Sequence, residues 1–208
     1  MEEILRYFPD LTARQKEQFA AMKGIYEDWN SKINVISRKD TESFYLHHVL
    51  HSLALAKVAE GVFCQKGISV LDVGTGGGFP GIPLAVLCQD INFTLCDSIG
   101  KKVKVAAAVA EELGLKNVTA VNARAESLPG QFDWVVSRAV TSLDNFLPWV
   151  KGKYTGGILY LKGGDLDEEI GKCASRRLID PRKVTVSDIS IFFTDSWFEE
   201  KKVVTITR

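Results

Sequence analysis

A glycine-rich loop between a short apolar segment and a helix restricts the fold of this chain more than any other feature. Residues 68–73 read Ile-Ser-Val-Leu-Asp-Val, and residues 74–81 continue as Gly-Thr-Gly-Gly-Gly-Phe-Pro-Gly. Glycines at such a point allow a tight turn and let the backbone approach a ligand closely. In open α/β sheets, ligands bind at the carboxyl ends of the strands. We therefore predict a strand, a ligand-binding loop and a helix, in that order.

Short apolar runs alternate with helical patterns along the rest of the chain. Strands are predicted at 68–73, 92–97, 118–121, 132–137 and 158–162, and helices at 80–88, 101–113, 144–150 and 166–174. This alternation indicates βαβ units, a mainly parallel sheet and helices on both of its faces. Two late strands, near 189–193 and 202–207, have no helix between them and are expected to pair antiparallel. The sequence predicts a doubly wound α/β domain.

The first 66 residues have the periodicity of helices instead. Apolar side chains recur three or four positions apart at 19–29 and again at 46–58. Asp40 or Thr41 is predicted to cap the second of these helices. We predict that residues 1–66 form a helical extension packed on the core, and that residues 67–208 form the α/β domain.

Charge and cysteine content exclude several classes of protein. The chain has 26 basic and 26 acidic residues, so any binding to nucleic acid requires a local basic patch. The four cysteines form no C-x-x-C pair, which argues against a disulfide framework and a zinc site. The longest apolar run, 82–88, is too short for a membrane span, and the first residues lack a signal-peptide pattern. We expect a cytoplasmic monomer without a metal or a membrane contact.

The acid that precedes the glycine loop distinguishes between two cofactors. Gly76, Gly78 and Gly81 have the G-x-G-x-x-G spacing of dinucleotide sites, which leaves an NAD-dependent oxidoreductase as an alternative. Asp72, however, would repel a pyrophosphate and attract a cationic ligand. S-adenosylmethionine carries both a sulfonium and an ammonium group. Asp72, Gly74 and Gly76 are therefore predicted to bind S-adenosylmethionine.

Residues after the second and third strands extend this predicted cofactor site. Asp97 ends the second strand, 23 residues after Gly74, where an acid can accept hydrogen bonds from both ribose hydroxyls. Its alternative role is to cap the helix that follows. Ala125 and Glu126 follow the third strand at the same edge, where a backbone amide can recognise the adenine. Asp97, Ala125 and Glu126 are therefore predicted cofactor contacts.

The segment after the fourth predicted strand helps to identify the class of atom that accepts the methyl group. It reads Ser-Arg-Ala-Val at 137–140, without the Asn/Asp-Pro-Pro-aromatic loop typical of transfer to exocyclic amines. The chain has no Pro-Cys or Thr-Cys pair, which disfavours methylation of pyrimidine carbon 5. A ring nitrogen such as guanine N7 has a free lone pair and needs no general base. We predict that Arg138 lies near the chemistry and bonds guanine O6 or the cofactor carboxylate, the alternative being a surface arginine.

Longer motifs resemble one family of methyltransferases. The string Asp-Val-Gly-Thr-Gly-Gly-Gly-Phe-Pro-Gly-Ile-Pro-Leu-Ala at 72–85, with Leu-Cys-Asp-Ser at 95–98 and Ser-Arg-Ala at 137–139, is similar to the RsmG (GidB) family. This resemblance implies a Rossmann-like class I methyltransferase with a seven-stranded sheet and S-adenosylmethionine as cofactor. It implies transfer to guanine N7 in the 530 loop of 16S ribosomal RNA, as naked RNA or in a small-subunit particle. A non-catalytic RNA-binding or ribosome-assembly module on this fold is the alternative.

The resemblance also assigns individual residues. It places cofactor contacts at Gly74, Phe79, Ala125, Glu126 and Arg138. The chain departs from the family where relatives often have Arg-His-x-x-Asp-Ser, since here residues 47–52 read His-His-Val-Leu-His-Ser. His47 and His51 replace the arginine and the aspartate, so the contacts of those two residues are not carried over. The two histidines share a helix face, but no third metal ligand is evident.

Contact with RNA has to come from basic groups near the ligand edge. The candidates are Lys101, Lys102, Arg124 and Lys162, together with His48. Further candidates are Arg38 and Lys39, and weaker ones are Arg176–Arg177, Arg182–Lys183 and Lys201–Lys202. Phosphate binding by such residues would weaken as the salt concentration rises.

Overall fold

The sheet that the sequence predicts is present in the computed structural model, which describes residues 1–138 and 140–208 and all side chains there except those of Arg38 and Lys39. Its strands are β1 Ser69–Val73, β2 Asn92–Asp97, β3 Val118–Asn122, β4 Phe132–Arg138, β5 Tyr154–Gly163, β6 Val184–Asp188 and β7 Lys201–Thr207. Their order is β3-β2-β1-β4-β5-β7-β6. Strands β1 to β5 run parallel, and β7 lies antiparallel between β5 and β6. Ala139, and the side chains of the RNA candidates Arg38 and Lys39, lie outside the description.

Helices flank both faces of this sheet. They are α1 Glu2–Tyr7, α2 Ala13–Lys32, α3 Arg38–Glu42, α4 His51–Val58, α5 Glu60–Phe63, α6 Gly81–Leu87, α7 Gly100–Glu112, α8 Leu143–Trp149 and α9 Asp167–Ser175. A π-helical turn, Tyr45–Leu50, leads directly into α4. None of the helices in the described ranges is both long and apolar enough to cross a membrane.

The sixth strand lies earlier in the chain than the sequence predicted. The expected strand at 189–193 begins as a 3-10 turn, Ile189–Ile191, and β6 precedes it. Ile189 and Phe193 are four residues apart and are both fully buried, as on one side of a helical turn. The apolar alternation of β6 consists of Val184 and Val186 alone, which is too short to identify a mostly exposed edge strand from the sequence. The last strand pairs antiparallel with the strand before it, as predicted, but that strand is β6 at 184–188 and not 189–193.

The helix caps at the N-terminal end also differ from the prediction. Thr12 and Gln15 form a capping box at the start of α2. Neither Asp40 nor Thr41 caps the helical segment that follows them, since both lie inside α3. Ser37 caps α3 instead, and its Oγ accepts a hydrogen bond from the backbone N–H of Asp40 at 3.3 Å.

Two apolar clusters hold the helices against the sheet. On one face, Phe19 and Leu53 of the N-terminal helices share a cluster with Val136 and Leu159 of the sheet. On the other face, Phe146 of α8 and Cys173 of α9 pack with Leu71 and Tyr160, among others. Helices on both faces are what a doubly wound sheet requires, which confirms the predicted fold class.

Gly157 lies inside β5, one residue before the predicted start of this strand at 158. A Cβ atom on Gly157 would lie 2.5 Å from the carbonyl oxygen of Ile206 and 2.7 Å from the Trp134 ring. We expect Gly157→Ala to lower the free energy of unfolding by about 1–3 kcal/mol through overpacking. Gly24→Ala is the matched control, because Gly24 lies within α2 with nothing within 4 Å, and it should raise stability by about 0.5–1 kcal/mol. Urea denaturation measures the free energy of unfolding of both variants, and equal changes in the two would contradict the prediction.

Candidate active site

A cavity of about 400 Å³ opens at the carboxyl ends of the parallel strands. Its lining includes many of the residues predicted from the sequence: Gly74, Asp97, Ala125, Glu126 and Arg138, with Lys102 and Arg124. These residues follow or end β1, β2, β3 and β4, so they are far apart in sequence. The sheet brings them together because parallel strands all end at the same edge.

The glycine loop forms one wall of this cavity. Gly74 has a φ of +69°, and a Cβ atom there would lie 2.5 Å from Cγ2 of Val140. The backbone N–H groups of Gly74 and Thr75 both donate to the carbonyl oxygen of Cys96, at 2.8 and 3.1 Å. The loop is thereby tied to β2, and its first residue requires both the conformation and the small size of glycine.

Asp97 connects the end of β2 to the same loop. Its Oδ2 accepts a hydrogen bond from the backbone N–H of Gly76 at 2.9 Å, and its Oδ1 accepts one from Ile99 at 2.8 Å. Ile99, not Asp97, occupies the N-cap position of α7. The carboxylate lines the cavity, and each of its oxygens retains lone pairs for a further donor. Asp97 thus holds the loop and offers an acceptor to a ligand.

Asp72 lies beneath the loop and not in the cavity wall. Its side chain is fully buried, and its Oδ2 accepts hydrogen bonds from Thr75 Oγ1 at 2.7 Å and from the Gly81 backbone N–H at 2.8 Å. Burial raises the pKa of Asp72 to about 7, although these hydrogen bonds and Arg138 oppose the rise. The sequence predicted that this carboxyl group contacts the cofactor. The structure instead places it where it joins the loop to the start of α6.

The raised pKa of Asp72 predicts a pH dependence of stability. The folded protein holds a proton on Asp72 that the unfolded chain releases, so the free energy of unfolding should fall as the pH rises from about 4 to about 7. Asp72→Asn keeps an acceptor oxygen for Thr75 and Gly81 and cannot ionise. Its stability relative to the parent should therefore rise by about 1–3 kcal/mol between pH 5 and pH 8. Urea titrations of both proteins at the two pH values measure this difference, and parallel pH profiles would contradict the prediction.

Phe79 and Arg138 stack against each other beside the cavity. Phe79 is buried among aromatic rings, with Tyr26 at 4.8 Å and His48 at 5.1 Å between ring centroids. The Arg138 guanidinium lies 5.0 Å from the centre of the Phe79 ring. Arg138 lines the cavity, whereas Phe79 is not among its lining residues. Phe79 therefore contacts Arg138 and does not contact a ligand in the cavity.

His48 fixes the orientation of Arg138. Arg138 Nη2 lies 3.0 Å from His48 Nδ1, and Arg138 Nη1 donates to the carbonyl oxygen of His47 at 3.3 Å. Because arginine is a donor only, Nδ1 of His48 must be the acceptor. Burial, with the Arg138 charge, lowers the pKa of His48 to about 3, so this imidazole is neutral. Burial lowers the pKa of Arg138 to about 10, which leaves the guanidinium charged at neutral pH.

The basic candidates for RNA contact occupy different environments. Lys101 is exposed on α7, while Lys102 and Arg124 lie at the cavity, where Arg124 approaches Glu126 at 3.9 Å. Lys162 is already engaged, since its Nζ lies 2.9 Å from the Glu169 carboxylate and 3.2 Å from the Thr141 carbonyl oxygen. His48 is buried behind Arg138. Within the described residues, no group of three or more potential metal ligands is present.

Comparison with known proteins gives the family. The sequence model of the GidB family, described as rRNA small subunit methyltransferase G, matches residues 13–190. A protein named ribosomal RNA small subunit methyltransferase G from Flavobacterium psychrophilum is 54% identical over 98% of this chain and 96% of its own length. The protein of that name from Bacteroides fragilis is 48% identical, with both chains covered in full. The chain belongs to the GidB family.

Solved structures agree with the fold of this GidB-family protein. Magnesium protoporphyrin IX methyltransferase from Synechocystis, crystallised with bound S-adenosylmethionine, superposes with a TM-score of 0.62 at 15% identity. That match covers 96% of this chain and 99% of the other. A SAM-dependent methyltransferase from Aquifex aeolicus gives a TM-score of 0.56 at 17% identity, over 83% of this chain and 98% of the other. Family membership favours a methyltransferase over the oxidoreductase that the G-x-G-x-x-G spacing also suggested.

Several residues of the site were not predicted from the sequence. Ile99, Val140 and Trp149 line the cavity, and Ile99 is 42% exposed although it is apolar. The signal for Ile99 and Val140 was their position just after strand ends. Tyr26 had been interpreted as core only, and it is buried, but its hydroxyl donates to the Gly77 carbonyl oxygen at 2.9 Å. No local pattern in the sequence reveals that contact.

Proposed function

We propose that this protein transfers a methyl group from S-adenosylmethionine to N7 of a guanine in the 530 loop of 16S ribosomal RNA. The observation that carries the proposal is the 54% identity, over nearly the whole chain, to a protein named ribosomal RNA small subunit methyltransferase G. The N7 position and the 530 loop come from the resemblance in the sequence motifs. The absence of an exocyclic-amine loop and of a nucleophilic cysteine supports N7 as the acceptor.

The cavity has chemistry that suits S-adenosylmethionine. The Asp97 carboxylate lines the cavity and would accept hydrogen bonds from the ribose hydroxyls. Ala125 and Glu126 follow β3, where the adenine is expected, and Ile99 lines the same cavity with an apolar side chain. Gly74, where a side chain would collide with Val140, leaves room for the methionine part of the cofactor, and Gly76 contributes through its backbone N–H, which Asp97 holds. Asp72 acts through the loop that it holds.

The reaction itself asks little of the protein beyond positioning. When bound, the cofactor supplies an electrophilic methyl group on a sulfonium. Guanine N7 offers its lone pair in line with the breaking bond and loses no proton, so no general base is required. Arg138, charged and held by His48 and Phe79, is the residue that orients the guanine or the cofactor carboxylate. This role fits a site without a base.

The surroundings of the site support further parts of the proposal. Residues 1–66 are proposed as an extension that packs on a methyltransferase domain of residues 67–208, since Phe19 and Leu53 share an apolar cluster with Val136. Lys101, Lys102 and Arg124 are proposed contacts to RNA phosphates near the cavity. We propose that the protein acts as a cytoplasmic monomer on small-subunit RNA or on a particle that contains it.

Methyl transfer from radiolabelled S-adenosylmethionine tests the proposal. The acceptors are small-subunit ribosomal RNA that lacks the modification, presented naked and in particles, followed by mapping of the modified base. Label at guanine N7 in the 530 loop is the expected result. Label at another position would overturn the proposed acceptor, and cofactor binding with no label on any acceptor would favour the non-catalytic alternative.

A further inference from the structure

A second cavity shares Arg138 with the cofactor cavity. It has a volume of about 250 Å³, and Arg138 lines both cavities. Its other walls come from Asp40, the His47–His51 segment, the end of β5, the start of β7 and Trp197. A ligand in this cavity would therefore meet the same Arg138 side chain that lines the cofactor cavity.

The walls of this cavity are cationic and aromatic. The His47 imidazole stacks on the Trp197 indole, with ring centroids 4.3 Å apart and planes 17° apart. The Lys201 ammonium lies 4.7 Å from the centre of the same indole. Both groups thus lie against the indole, and the chemistry left for a ligand is positive charge.

The acidic groups near the cavity are already engaged by other partners. Asp40 Oδ1 lies 2.9 Å from His47 Nδ1, and its Oδ2 bonds the Ser37 hydroxyl. Glu169 pairs with Lys162 at 2.9 Å. Among the described side chains, Lys201 makes no ion pair with a carboxylate. Its charge is therefore free for an anion.

Two buried imidazoles form part of this wall. The Nε2 atoms of His48 and His51 are buried and have no hydrogen-bond partner among the described residues. His48 accepts from Arg138 through Nδ1, so its proton must lie on Nε2. Both residues are more than nine-tenths buried and line the cavity, but their Nε2 atoms are not exposed in it.

Strand alternation separates Lys201 from its neighbour Lys202. Lys201 pairs with Gly163 and Lys202 pairs with Lys162 across β5 and β7. Val203, on the same face as Lys201, belongs to the cluster of the N-terminal helices, and Val204 belongs to the cluster on the opposite face. Only Lys201 of the two lines the cavity. The chain thus contains a matched pair of lysines, one at the cavity and one away from it.

We propose that this cavity binds a backbone phosphate of the acceptor RNA beside the methylated guanine, with Lys201 and Arg138 as its cations. The proposal rests on the proposed function, because it takes the RNA acceptor from there. His47 and His51, at which the chain departs from the family motif, then form part of the wall of an RNA phosphate site. Phosphate is favoured over a stacked base because Trp197 is already stacked on His47 and in contact with the Lys201 ammonium.

Binding of a fluorescently labelled RNA hairpin with the 530-loop sequence tests this site. Anisotropy is measured at several salt concentrations for the parent, Lys201→Ala, Lys201→Arg and Lys202→Ala. We expect Lys201→Ala to weaken RNA binding about five- to tenfold and to reduce the slope of log K against log salt by about 1. Lys201→Arg should retain both the RNA affinity and the salt slope of the parent. The RNA affinity of Lys202→Ala should stay within twofold of the parent. Calorimetric affinity for S-adenosylmethionine and the melting temperature should be unchanged in all three variants.

The outcomes separate this site from the proposed function. If Lys201→Ala and Lys202→Ala have the same RNA affinity and salt slope, the phosphate site is wrong even when the parent methylates RNA. If Lys201→Ala alone loses affinity and slope, the site stands even when no methyl transfer is detected, and only the proposed function fails. Inorganic phosphate at millimolar concentration should compete with the RNA hairpin for binding to the parent protein but not for binding to Lys201→Ala. Equal competition in both proteins would also overturn the site.

Discussion

Asp97→Ala is expected to weaken the binding of S-adenosylmethionine by about a hundredfold. Removal of the carboxylate eliminates the proposed acceptor of the ribose hydroxyls, and hydrogen bonds to charged groups contribute about 1.5–3 kcal/mol each. It also frees the backbone N–H groups of Gly76 and Ile99, which Asp97 holds at 2.9 and 2.8 Å. The cofactor would then have to order a loop that the parent protein holds in place. Isothermal titration with S-adenosylmethionine measures the effect.

Asp133→Ala is the matched control for this substitution. Asp133 also accepts from a backbone N–H, that of Ser69 at 2.7 Å, and from the Ser69 hydroxyl at 2.9 Å. Those bonds lie at the start of β1, the end of the strand opposite to the glycine loop. Asp133→Ala should lower stability and leave the cofactor affinity within threefold of the parent. Cofactor affinity within threefold in Asp97→Ala would remove Asp97 from the proposed site.

Arg138→Ala is expected to lower kcat/KM for RNA by about a hundredfold or more, since loss of a positioning group commonly costs that much. The Arg138 side chain lines both cavities, and its guanidinium is held by His48 and by the His47 carbonyl oxygen and stacks on Phe79. Arg138→Lys keeps the charge but cannot donate to both partners in the same plane, so a smaller loss, about tenfold, is expected. Initial rates at varied RNA and cofactor concentrations measure kcat and KM separately.

Arg14→Ala is the control for Arg138→Ala, because Arg14 donates to the Leu113 carbonyl oxygen and lines neither of the two cavities beside Arg138. It should leave kcat/KM unchanged. Circular dichroism of Arg138→Ala establishes that the variant is folded, since Asp72 loses the cation nearest to it. A folded Arg138→Ala protein with kcat/KM within fivefold of the parent would contradict the proposed role of Arg138.

The sequence was sufficient wherever a local pattern decides the structure. The apolar run before the glycine loop, together with the helices that follow each strand, predicted β1 to β5 and the parallel sheet. The positions of Gly74, Asp97 and Ala125 after successive strands predicted that they meet at one edge, and they line one cavity. The sequence analysis missed β6, since the alternation of Val184 and Val186 is too short to distinguish an exposed edge strand.

The role of each acid at this edge required the packed structure. Asp72 and Asp97 both lie at strand ends next to the glycine loop, and their sequence context is alike. Asp72 shares a sheet face with Val70, under the N-terminal helices and α6, so it is sealed beneath the loop. Asp97 ends its strand at the rim and reaches the cavity. The difference follows from which elements cover each strand end, and residue spacing does not contain that information.

The fold class, the family and the edge of the sheet that carries the site could be predicted from periodicity, glycine positions and extended motifs. The basic side chains that face a ligand could not be predicted in this way. Lys162 is bound to Glu169, whereas Lys201 lies over Trp197 beside Arg138, and Lys202 is on the opposite face of the same strand. The physical reason is that a side chain's partners come from distant segments, and these meet only when the sheet and its helices pack together.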